Sequence, residues 1–154
     1  MQAHRTIIGA ALVTCASGWT LWASPAGAAP ATVLVDRVEQ ANAANRAEAS
    51  IEIGPFGTDA LVHATASGRS TYSGPSGSAG IIVSVLRNLE TLAEDDSFEG
   101  QASSVTFRAS VSQSFVVRRG TRVTVYGRTN PYGSHSAGNR STSVRLSVVA
   151  IAAD

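Results

Sequence analysis

The sequence predicts an all-β protein: a single β-sandwich of about eight strands, with jelly-roll or Greek-key connections, behind an N-terminal leader. Three observations carry that prediction. Apolar and polar residues alternate with period two in "AEASIEI" (47–53), "VTFRASVS" (105–112) and "STSVRLSVV" (141–149). This is the pattern of a strand with one face buried. Gly, Pro, Ser and Asn punctuate the runs at short intervals, as turns require. No heptad, internal repeat or long linker breaks the series.

The first residues follow a different logic. Met1 to Arg5 carries one positive charge, Thr6 to Ala23 carries none, and "SPAGAAP" (24–30) follows. A basic start, an apolar middle and a small-residue exit predict a secretory signal peptide. Ala26 and Ala28 place cleavage before Ala29, giving a leader of residues 1–28 and a domain of residues 29–154. Gly9, Ser17, Gly18 and Pro25 interrupt the apolar stretch, which argues against a retained membrane span. "LVTC" (12–15) resembles the lipobox of bacterial lipoproteins, with Thr14 where that pattern has a smaller residue. Anchoring through Cys15 is therefore the alternative to a secreted or periplasmic protein. Beyond the leader there is no cysteine. The expected domain, about 125 residues long, must then hold together by a hydrophobic core without disulfides.

Charge excludes some partners. There is no lysine, and the formal net charge is only +1, so bulk electrostatics offers no case for nucleic acid or a membrane surface. The distribution is uneven. Residues 29–100 hold ten acidic residues against four Arg, a charge of −6. Residues 101–154 hold seven Arg against one acid, a charge of +6. In a sandwich the two halves interleave and the charges mix. If they stay apart, the acidic segment 90–99 and the Arg-bearing hairpin 118–128 are complementary patches for self-association.

Taken in order, Val33–Val38 is a β-prone run and "QANAANRA" (40–47) a loop or helical turn. "AEASIEI" is a strand and "GPFG" (54–57) a turn. "ALVHATASGRS" (60–70) is a strand, with Val62, Ala64 and Ala66 on one side and Leu61 and His63 on the other. "TYSGPSGSAG" (71–80) is a loop, and "IIVSVL" (81–86) a strand. "VSVLRNLETLAEDD" (83–96) fits two readings. Its apolar residues suit a helix, but Arg87–Glu90 also suits a hairpin turn, with Leu89 an unfavourable second turn residue. Context favours the hairpin. "SFVVRRGTRVTVYGRT" (114–129) is strand, turn at Arg119-Gly120, strand. "TNPYGSHSAGN" (129–139) is a polar loop before the last strand. There Val149 and Ile151 break the alternation, which predicts an end covered on both faces.

The order of segments from "IIVSVLRNLETLAEDDSF" through "FVVRRGTRVTVYGRT" to "STSVRLSVVAI", over residues 79–151, resembles bacterial jelly-roll domains of the C1q/TNF type. That resemblance implies a non-catalytic domain, often trimeric, that binds partners. It carries over no catalytic residue.

The residues themselves offer little chemistry. "SHSAG" (134–138) resembles the nucleophile elbow of lipases, with Ser136 as nucleophile. However, Ser134 replaces the first Gly, the following segment is β-prone rather than helical, and no His follows. A hydrolase would need His63 or His135 with a Ser hydroxyl and a carboxylate. Two His and no Cys after the leader do not make a zinc site. Glu94, Asp95, Asp96 and Glu99 are candidate Ca²⁺ ligands, since that ion takes six to eight oxygens, but EF-hand spacing is absent. Both Trp lie in the leader, so the candidate sugar-binding rings are Tyr72 and Tyr132, with His135 beside them. Arg122 and Arg128 share a strand parity and are candidate anion ligands. The sequence thus predicts an exported, non-catalytic binding or structural module without a cofactor. A carbohydrate, a protein partner or a second copy is its expected contact.

Overall fold

The computed structural model describes residues 13–14, 20–21, 31–133 and 139–153. The chain divides between Ala31 and Thr32. In the first unit two short strands, β1 (Val13–Thr14) and β2 (Thr20–Leu21), pair antiparallel. Cys15 and the expected cleavage point before Ala29 lie outside the described residues.

The second unit is all β. Its strands are β3 (Val33–Ala43), β4 (Ala47–Ile53), β5 (Ala60–Arg87), β6 (Glu90–Val117), β7 (Val123–Tyr132) and β8 (Asn139–Ala152). All pairings are antiparallel, and three of them are nested: β3 with β8, β4 with β7, β5 with β6. Strands β5 and β6 each have 28 residues and serve two sheets. The first half of β5 (60–73) lies between β8 and the second half of β6. The second half (80–87) lies between β7 and the first half of β6. Counting these halves separately gives eight strand segments. The first sheet runs β3–β8–β5–β6, and the second β4–β7–β5–β6. In chain order the segments read 1-8-3-6 and 2-7-4-5, the jelly-roll arrangement.

Alternation builds the core between the sheets. Ala47, Ala49, Ile51 and Ile53 of β4 face inward, as do Val144, Leu146, Val148 and Ala150 of β8. Val62, Ala64, Ile81, Val83, Val125 and Phe107 complete the packing. Arg37 and Glu39 stand opposite Val148 and Leu146, so they lie on the core side of edge strand β3 yet remain exposed. Inward-pointing charges of this kind keep an edge strand from recruiting another chain. On β8, Val149 and Ile151 are only half-buried on the outer face, so that end is not fully covered.

The segment 83–96 is a hairpin, not a helix. Asn88 and Leu89 form its turn with φ of 48° and 72°, the left-handed pair that a two-residue hairpin loop needs. The turn is anchored to β7: the Thr124 amide donates to Asn88 Oδ1 at 2.9 Å, and the Asn88 amide donates to the Thr124 carbonyl at 2.9 Å. Three boundaries differ from the sequence expectation. Strand β3 continues through Gln40–Ala43, where a loop or turn was expected. Residues 71–80 continue β5, with ladder irregularities between Ser73 and Ala79 where the ribbon passes from one sheet to the other. Gly, Ser and Pro there permit a bend within a strand rather than ending it. Residues 129–132 belong to β7, and residues 134–138, with His135 and Ser136, lie outside the described residues.

Candidate functional site

Register decides what the outer face of the first sheet presents. Residues directly opposite one another on neighbouring strands share a face. On β5 and β6 this produces a ladder of polar pairs. His63 Nδ1 lies 3.0 Å from Ser114 Oγ, Thr65 Oγ1 lies 2.8 Å from Ser112 Oγ, and Ser67 Oγ lies 3.0 Å from Ser110 Oγ. Further along, Thr71 and Thr106 face each other at 3.5 Å. One rung between them breaks the pattern: Arg69 stands directly opposite Arg108. Such partners have Cβ atoms about 4.5–5.5 Å apart, and like charges there destabilise the sheet.

A third arginine shares this face. Arg145 of β8 stands opposite Ser67, and Ser143 stands opposite Arg69. Arg145 is therefore diagonal to Arg69, a separation of about 7–8 Å. Among the described residues, the ion pairs use Arg46, Arg87, Arg118, Arg122 and Arg128. Arg69, Arg108 and Arg145 take part in none of them. A shallow depression runs between Arg69, Arg108, Ser67, Ser110 and Ser143, with Asp95 at its margin. The Asp95 carboxylate accepts the Ser110 amide at 3.3 Å. Toward the other end the same face turns aliphatic, where Val33, Ile151, Leu61 and Val116 follow one another across four strands.

The outer face of the second sheet is built differently. Glu48 of β4 stands opposite Arg128 of β7. Arg128 donates from Nε and Nη2 to Glu48 Oε2 at 2.8 and 2.7 Å. Arg46 also reaches that oxygen, at 2.7 Å. The Arg46 hydrogen bond foremost, and the Arg128 guanidinium with it, hold the Glu48 carboxyl below its usual range despite partial burial. Arg122 pairs with Glu52 at 3.1 Å. The Arg-bearing 118–128 hairpin is thus matched to carboxylates within its own fold, Arg118 to Asp59 included. The Arg119 amide, then Arg118, hold Asp59 low as well. Charges from the two sequence halves mix at these contacts.

The acidic segment is dispersed by strand alternation. Glu94 and Asp96 stand opposite Ser84 and Ile82 on the outer face, while Asp95 stands opposite buried Val83 on the core side. Glu94 accepts Ser84 Oγ at 2.8 Å, and Asp96 accepts the Tyr132 hydroxyl at 3.1 Å. Glu99, further along, stands opposite Ala79. Among the described residues no group of three His, Cys, Asp or Glu is placed to hold a metal ion.

The two candidate sugar-binding tyrosines do not form an exposed pair. Tyr72 is 1% exposed, with the Arg140 guanidinium 5.9 Å from its ring. Tyr132 is half-buried and stacks on Phe98, with centroids 5.9 Å apart and planes 8° from parallel. Phe98 is 56% exposed. Burial first, and Asp96 second, raise the Tyr132 hydroxyl pKa. Gly80 lies beneath this ring; a Cβ there would sit 2.6 Å from Tyr132 Cζ. His63 has Ser and Thr hydroxyls as hydrogen-bond partners and sits on an open sheet rather than in a cleft.

Sequence reasoning named Arg122 and Arg128 but not Arg69, Arg108 or Arg145. A signal existed, because each of the three lies at an outward position of an alternating run. Their convergence depends on inter-strand register, which the sequence does not spell out.

No protein-family model matches this chain, and no curated protein matches it. Among solved structures, a mutant VP2 protein of infectious bursal disease virus in T=1 particles is similar over 87% of this chain, at 10% identity and a TM-score of 0.34. The chain spans 38% of the length of that protein. No helix among the described residues is long and apolar enough to cross a membrane.

Proposed function

We propose that this protein is an exported, non-catalytic binding module whose working surface is the outer face of the β3–β8–β5–β6 sheet. One observation carries the reading: Arg69 and Arg108 oppose each other on a hydroxyl ladder, and neither takes part in an ion pair among the described residues. Like charges held in register cost stability, and a bound partner of opposite charge offsets that cost. The His63–Ser114 contact lacks the cleft and the carboxylate that hydrolysis would require. Binding to a glycan array, with two bulky variants as controls, tests the proposal. Ser67→Trp, at the centre of the proposed face, should abolish retention; Ser50→Trp, on the exposed outer face of β4, should preserve it. The reverse pattern would sink the reading.

Self-association is a second reading, favoured by the charges each outer face leaves uncancelled. On the second sheet Glu48 and Glu52 are paired with arginines while Glu94 and Asp96 take part in no ion pair among the described residues, and on the first sheet three arginines take part in none. Contact between unlike faces is heterologous and propagates. Sedimentation should then show a mass that falls as salt rises; a monomer at every salt concentration removes this reading. Carbohydrate stacking on the Phe98–Tyr132 platform is a third, supported by the exposed Phe98 ring beside Asp96. Phe98→Ala should weaken sugar binding without altering the fold.

A further inference from the structure

We infer that Arg69, Arg108 and Arg145 form a subsite for the anionic groups of an acidic glycan, a linear sugar polymer bearing sulfate esters or uronate carboxylates. The inference rests on the binding-face proposal and names its ligand class. Arg69 and Arg108 are direct cross-strand neighbours, and Arg145 is diagonal to Arg69. A guanidinium presents a planar fork of donors that matches an oxyanion in a bidentate manner. Three such forks on adjoining strands suit a partner carrying several anionic groups in succession.

The surroundings choose among anionic polymers. Ser67, Ser110 and Ser143 line one depression with Arg69 and Arg108, the Asp95 carboxylate at its margin accepting the Ser110 amide, so the surface offers hydroxyls and cations side by side. An acidic sugar polymer presents the complementary mixture of hydroxyls and anions. Nucleic acid fits less well: this rung and its neighbours carry no aromatic ring for base stacking, and the chain's formal net charge is only +1. A lipid surface fits less well too. The aliphatic row at Leu61 and Val116 is eight residues along β5 and β6 from Arg69 and Arg108, about 27 Å at strand rise. A bilayer seated on the arginines would meet hydroxyl groups and no apolar wedge.

The test is binding of the full chain to dextran sulfate, polygalacturonate and uncharged dextran at several salt concentrations. Vesicles of phosphatidylcholine with phosphatidylglycerol, and a short single-stranded oligonucleotide, complete the panel. Binding to one or both acidic glycans, absent with uncharged dextran and weakening with salt, is the expected result. Whichever acidic glycan binds more tightly identifies sulfate or carboxylate as the preferred anion. Arg69→Ser, Arg108→Thr and Arg145→Ser should each weaken binding about tenfold, the scale of one charge-assisted hydrogen bond. Arg122→Ser should leave it unchanged. Thermal melts verify that each variant is folded. Equal or tighter binding to vesicles or oligonucleotide overturns the glycan assignment, as does failure to bind either acidic glycan. If the triple arginine variant still binds while Ser67→Trp does not, the face stands as a binding surface and the anion subsite is refuted. If Ser67→Trp binds as well, the face itself is refuted.

Discussion

The two outer faces of this sandwich treat arginine in opposite ways. On the second sheet, β4 brings Glu48 opposite Arg128, and Glu52 reaches Arg122. On the first sheet, the strands flanking Arg69, Arg108 and Arg145 bring Ser, Gln and a further Arg. A cationic surface here arises from partners withheld, not from excess positive charge. A protein of nearly neutral composition can still present a focused charged patch, because register decides which charges are cancelled.

The contrast is breakable. Arg128→Met should produce the largest change. The Arg128 side chain is 19% exposed and makes two contacts to Glu48, so its loss should cost about 1–2 kcal/mol in urea unfolding, less than a fully buried charged hydrogen bond because Glu48 is solvated. A cost near zero would mean that pairing on the second face is incidental. Thr129 lies at the next inward position of the same strand, and its buried Oγ1 has no hydrogen-bond partner. Thr129→Val should raise stability by about 1 kcal/mol by removing that unsatisfied group; a loss would point to an unrecognised partner for the hydroxyl. On the first face the sign reverses for charge. Arg108→Thr should stabilise the free protein by about 0.2–1 kcal/mol, because it relieves a like-charge rung. A destabilised variant would show that Arg108 has a structural role.

Acid should separate the faces without mutation. Glu48 and Asp59 are held below their ordinary values of 4.5 and 3.8. Their contribution is fully present above those values and is lost as pH falls through the depressed folded ones. Glu48→Gln should flatten the acid limb of the stability profile, and Arg108→Thr should leave its slope unaltered. Thermal midpoints between neutral pH and pH 2 measure both.

Much of the fold was legible. The alternation in 47–53, 105–112 and 141–149 identified strands with one buried face, and the inward residues of β4 and β8 are those the pattern selects. The hairpin at Arg87–Glu90 was legible from Asn88, although Leu89 adopts a left-handed conformation that its side chain disfavours. The bend at 71–80 was not. Gly, Ser and Pro mark a chain that changes direction, and do not distinguish a loop from a ribbon crossing between sheets. The candidate site was the least legible part. Tyr72 looked like a loop ring because of its Ser and Gly neighbours, yet two-residue periodicity continues through it and turns it inward. Arg122 and Arg128 looked free because their carboxylates sit some 70–80 positions earlier, on β4.

The nesting of β3·β8 around β4·β7 around β5·β6 has a consequence for how the chain reaches this state. The β5·β6 and β4·β7 ladders are centred on residues 88–89 and the β3·β8 ladder on residues 92–93, so each ladder, once formed, brings the ends of the next into proximity. With β5 and β6 zipped, joining Ile53 to Val123 no longer closes a loop of the whole intervening chain. It closes only the short connections 54–59 and 118–122. Loop-closure entropy grows with the logarithm of free length, so a topology whose contacts are far apart in sequence is assembled through a succession of short closures radiating from one turn.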